Sequence, residues 1–155
     1  MNTALAGFLW AGFIATTLGT AAFWLVRAQG ITRLSPTRHL GGFVFRDPYR
    51  PQTDALGIVM LYAAGTLLLP PLYEAILVQA GWASWRGGAL LGLVVGIILA
   101  ALLPITSRAV RAIRSGLMPE PGNLGLGWGW GTPLAIVLAH VVYGGVLLAV
   151  LTALT

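Results

Sequence analysis

Apolar residues come along this chain in four long runs, about 4 to 26, 56 to 79, 88 to 106 and 133 to 154, and nearly all the charge lies between them. Crossing about 30 Å of hydrocarbon as a helix takes roughly 20 residues, so each run is long enough to span a bilayer. The pattern predicts an all-α fold, a bundle of four transmembrane helices in a single integral membrane domain over residues 1–155. The first run has no positive charge ahead of it and Arg27 directly after it, so it reads as a retained helix rather than a cleaved leader.

Within the runs, small residues recur at helical spacing. Gly7, Ala11, Ala15 and Gly19 line one face of the first, with Gly12, Thr16 and Thr20 on the adjoining row. Gly88, Gly92, Gly96 and Ala100 repeat the device in the third. Such stripes let helix backbones approach where lipid supplies no hydrophobic drive for association. The two stripes are expected either to face each other or to face another protein or a second copy. Pro70 and Pro71 interrupt the second run, where they leave the carbonyls of Thr66 and Leu67 without donors and should bend the helix. The short turn "GWASWRGG" predicts that the second and third helices are antiparallel neighbours, with Trp82 and Trp85 at the headgroups.

Composition sharpens this picture. Of 155 residues, 57% are hydrophobic and 8% charged, too little polar surface for a water-soluble globule. There is no cysteine, which excludes disulfides and thiol chemistry. The net charge of +5 is a matter of orientation rather than of nucleic acid. Arg27, Arg33, Arg38, Arg46 and Arg50 follow the first run and Arg108, Arg111 and Arg114 the third, whereas Arg86 stands alone between the second and third. The positive-inside rule then makes both arginine-rich loops cytoplasmic and places both termini outside, as in a bacterial cytoplasmic membrane. The first loop, with Phe43, Val44 and Phe45, is expected to lie on the membrane or on a partner, and "ITSRAVRAIRSG" after Pro104 to turn its arginines toward lipid phosphates.

Ionisable groups inside a membrane are costly and are functional candidates by default. The two here are Glu74 and His140. Helix rise puts Glu74 roughly 27 Å up the second helix and His140 roughly 10 Å up the fourth, too far apart in depth to pair. Glu74 is expected to tie to Arg86 snorkelling from the outer turn, or, as a proton or cation acceptor, to line a half-channel. His140 shares its depth with Thr20 and Tyr62, so a hydrogen-bonded layer of Thr20, Tyr62 and His140 is expected. The alternative is ligation of a haem or pigment by His140, with Ala139 and Gly144 leaving room for a flat ring. Neither a catalytic constellation nor a metal site is legible.

Before the last run stands "GNLGLGWGWGTP", residues 122–133, with glycine at almost every second position. Read as extended chain, it puts Leu124, Leu126, Trp128 and Trp130 on one face. Trp128 and Trp130 then anchor the last helix or form a docking ledge for a subunit or lipid-like ligand. "GFLWAGFIAT", "MPEPGNLGLGWGW" and "LAHVVYGGVL" together resemble a family of small four-helix bacterial integral membrane proteins of unassigned function. The resemblance implies the four-helix fold and includes His140, Tyr143 and Gly144 in the family pattern. It implies no reaction, and the proline pair with Glu74 departs from it.

The function expected is that of a non-catalytic accessory subunit packed among other integral membrane subunits of a respiratory or photosynthetic complex, with membrane lipids as its other partners and no cofactor of its own. The alternative is a small carrier or binder of a lipid, quinone or pigment that uses His140 or Glu74 as polar contact. A homo-oligomeric channel is disfavoured by the sparse polar lining.

Overall fold

A computed structural model describes residues 3–154, and four of its helices are long and apolar enough to cross a membrane. The first span is α1 (Thr3–Ala28). A short α2 (Pro36–Gly41), capped by the Ser35 side chain, leads into the second span. That span is composite: α3 (Pro51–Ala63), a π-helical segment (Ala64–Leu68) and α4 (Leu69–Gln79). The third is α5 (Trp85–Thr106), followed by one 3-10 turn and α6 (Arg111–Arg114). A 3-10 segment (Asn123–Trp128) precedes the fourth span, α7 (Thr132–Leu154).

α7 is the hub of the bundle, with α1 on one side and α5 on the other. Both small-residue stripes therefore face α7, and the expectation that they face each other or a partner is corrected. On α5, Gly88 and Gly92 lie against the backbone carbonyls of Gly144 and His140, and a Cβ at Gly96 would come 2.8 Å from the Val137 Cα. A side chain at any of these three glycines would push the helices apart. On α1, Ala11 and Ala15 are fully buried, and a Cβ at Gly19 would meet the Ala139 carbonyl oxygen at 2.8 Å. Gly7 is the looser end, with only the Leu154 side chain nearby at 3.8 Å.

The second and third spans, despite their short connection, touch little; the second leans on α1 instead. Its contact with α1 is concentrated at the π-helical segment, where Gly12 and Thr16 pack on Gly65, and is sparse along α3. The proline pair acts here in an unforeseen way. The Leu69 N–H reaches back to the Ala64 carbonyl, so the hydrogen-bond register lengthens by one residue ahead of Pro70. In that register the missing Pro70 N–H would have served Gly65, whose carbonyl instead accepts the Tyr143 hydroxyl from α7 at 2.7 Å. A local insertion with an interhelical hydrogen bond thus replaces a simple bend at Thr66 and Leu67.

The loops at the arginine-rich end fold on one another. Gly41 and Gly57 bring α2 onto α3 backbone to backbone, against Thr53 and Thr37. The Gly42 carbonyl accepts the Ala112 N–H at 3.3 Å, and Arg111 donates to the Val44 carbonyl at 3.2 Å. The first loop is therefore covered by the second, and Arg111 serves a carbonyl of this cap.

Candidate functional site

The site grows from the splay of the first two spans. Thr20, Trp24 and Arg27 share one face of α1 by their spacing of four and three, and Asp54, Ile58 and Leu61 share one face of α3 in the same way. Since α1 and α3 hardly touch, the two faces stand apart and flank an open groove of about 480 Å³ whose floor is the α2 region, with Ser35, Thr37 and Arg38. That volume lies within the range of about 300–1,000 Å³ common for small-molecule sites. The walls are apolar at Trp24, Ile58 and Leu61 and carry two hydroxyl-bearing residues, Thr20 and Tyr62, beyond them; the charge is confined to the floor end, at Arg27, Arg38 and Asp54.

Most of the floor is internally satisfied. Asp54 accepts the Thr37 hydroxyl on Oδ1 at 2.8 Å and the Arg38 Nε–H on Oδ2 at 3.2 Å. The Ser35 and Thr37 hydroxyls lie 3.1 Å apart. Arg27 is the exception: its guanidinium stacks over Trp24 at 4.5 Å from the ring centroid, and its Nη1 is buried without a hydrogen-bond partner among the described residues. Arg27 lies within electrostatic range of both Arg38 and Asp54, yet neither reaches it with a hydrogen bond.

Of the residues singled out from sequence, Thr20 and Tyr62 line this groove; the others lie elsewhere, and they do not come together as one cluster. His140 uses Nδ1 on the Ile136 carbonyl of its own helix at 2.8 Å, and Tyr62 pairs with Thr17 at 3.2 Å, one turn before Thr20. The expected layer of Thr20, Tyr62 and His140 is not formed, because equal depth left the direction around each helix axis undetermined. Gly88 and the Tyr73 ring fill the space beside Gly144, and Ala139 faces Gly19, so the room expected for a flat ring is taken. Glu74 is half-buried on α4; the ion pairs among the described residues are Arg38 with Asp54 and Arg50 with Asp47. Arg86 lies over the Trp85 ring at 5.4 Å, so a tie to Glu74 is replaced by a contact with its own neighbour.

The glycine-rich segment is not extended. It coils, with Leu124 and Gly125 both at positive φ (54° and 83°), and this sends its tryptophans to opposite environments. Trp128 is 2% exposed; Trp130 is 70% exposed. The Trp128 indole N–H donates to the Pro119 carbonyl at 2.8 Å, and its ring meets His39 edge-on at 5.4 Å. Trp128 is thus a core residue of the cap rather than a docking residue. His39, buried between Trp128 and Phe43, is held neutral by desolvation, its pKa lowered to about 4.

Sequence reasoning missed Arg27 and Tyr73. Arg27 was counted only as an orienting charge; the signal was Trp24 one turn before it. Tyr73, 1% exposed, meets Tyr143 edge-on at 5.5 Å, and its hydroxyl has no partner among the described residues. No group of three metal-ligating side chains occurs among the described residues. No protein family, curated protein or solved structure matches the chain.

Proposed function

We propose that this chain is a non-catalytic membrane protein that holds one amphiphile, a lipid or quinone-like molecule, in the groove between its first two spans. The observation that carries this reading is the grading of the groove, from apolar walls at Trp24, Ile58 and Leu61 to a polar floor at Ser35, Thr37, Arg38 and Asp54. Small-molecule sites combine a mostly apolar lining with a few placed polar groups in this way. The setting is a bacterial cytoplasmic membrane, with the arginine-rich end on the cytoplasmic side. The polar contacts belong to the groove floor instead of His140 or Glu74.

The test is solvent extraction of the gently purified protein followed by mass spectrometry of what comes off, with Leu61→Trp as comparator. The wild type should release an amphiphile in near-stoichiometric amount and the filled-groove variant should release much less. Equal release from both would refute the assignment. A second reading, an accessory subunit of a larger membrane complex, draws support from Trp130, Leu126 and Leu124, which stand 70%, 50% and 43% exposed on one segment. Trp130→Ala should then lower the native assembly mass; an unchanged mass would remove that support.

A further inference from the structure

We infer that the molecule in this groove carries an anionic oxygen headgroup, as a phosphate-bearing lipid does, and that Arg27 is the residue that reads it. This rests on the groove being a binding site for an amphiphile, and adds the chemistry of the ligand's polar end.

Three features of the floor converge on an anion. The guanidinium of Arg27 is fixed from one side by the Trp24 ring, and Nη1 lacks an acceptor among the described residues. The acid in reach is already used, since Thr37 and Arg38 engage the two oxygens of Asp54. The groove therefore holds two guanidinium groups against one carboxylate, an excess of one positive charge concentrated on Arg27. At the end of α1, the carbonyls of Val26 and Arg27 already accept the Gln29 and Gly30 N–H groups.

A planar, stacked guanidinium with free N–H edges matches a phosphate or carboxylate in geometry as well as in charge. A quinone carbonyl is a weaker, neutral acceptor. A quaternary ammonium would need the carboxylate that Arg38 occupies. The place along the span agrees: Arg27 lies in the last turn of α1, at the headgroup level of a spanning helix, and Trp24, Ile58 and Leu61 lie where acyl chain would follow.

The test is native mass spectrometry in a neutral detergent, titrating phosphatidylglycerol, diacylglycerol of identical chains, and inorganic phosphate against wild type, Arg27→Gln, Arg27→Lys and Leu61→Trp. Wild type should prefer phosphatidylglycerol by about tenfold, the scale of one charge-assisted hydrogen bond. Arg27→Gln should bring the two lipids to parity with diacylglycerol binding retained, and Arg27→Lys should keep part of the preference. Leu61→Trp should lose both lipids. Equal binding of both lipids by wild type would overturn the inference, as would a full preference in Arg27→Gln or, if that variant fails to fold, in Arg27→Lys. Undiminished binding of both lipids to Leu61→Trp would overturn the groove reading itself. Inorganic phosphate binding as tightly as phosphatidylglycerol, and lost in Arg27→Gln, would uphold the anion site and overturn the amphiphile.

Discussion

Protonation of His39 should loosen the cap at the arginine-rich end. The imidazole is 9% exposed, between the Phe43 and Trp128 rings, and its Nδ1 has no hydrogen-bond partner among the described residues. Its pKa falls from 6.5 to about 4 because burial disfavours the charged form. Between these values the unfolded chain binds a proton that the folded chain refuses, so stability falls as pH falls. The group has no effect well above pH 6.5, and its full cost is reached near pH 4. At about 1.4 kcal/mol per pKa unit, that cost is about 3 kcal/mol. Unfolding in mixed micelles, followed by tryptophan fluorescence and circular dichroism from pH 7.5 to 4, should reveal it as a difference between wild type and His39→Phe. The acidic groups are common to both proteins and cancel in that difference. Parallel stability curves across the range would refute the burial argument.

The two tryptophans of the glycine-rich segment should separate cleanly by mutation. Trp128→Ala should destabilise by about 3–5 kcal/mol and Trp128→Phe by about 1–2 kcal/mol through loss of the bond to Pro119, whereas Trp130→Ala should stay within about 0.5 kcal/mol. Chemical denaturation in detergent checks all three, and equal effects at the two positions would contradict the coiled segment. Gly92→Leu should separate α5 from α7, seen as lost cysteine cross-linking between engineered pairs on the two helices; retained cross-linking would refute the close approach. Tyr143→Phe should cost about 1 kcal/mol by leaving the Gly65 carbonyl without its donor, measured by the same denaturation.

Much of the architecture was legible because hydropathy over some twenty residues is a strong signal. The four spans and the packing character of Gly88, Gly92, Gly96, Ala11 and Ala15 follow from it. What hydropathy lacks is direction around the helix axis, and three errors share that cause: the stripes meet α7 rather than each other, His140 meets its own helix, and Arg86 meets Trp85 instead of Glu74. The π-helical segment escaped because a change in hydrogen-bond register leaves composition untouched. Trp128 was misread because glycine at alternate positions suits both extended chain and a left-handed coil, and Leu124 adopts the latter. The groove was hidden because its residues come from three elements and each has an ordinary reading alone.

The position of α7 bears on how the chain comes to be built. α5 leaves synthesis with its glycine face bare and, apart from the segment before α7, finds almost all its packing on α7, which is made after it. The first two spans can meet at Gly12 and Gly65, but α5 must wait in lipid beside them, its backbone screened only by acyl chains. Completion of the bundle is then one late step, in which α7 slots between two waiting helices and commits both at once. A defect anywhere along that helix would be met by the cell as an unfinished insertion, long before any ligand is bound.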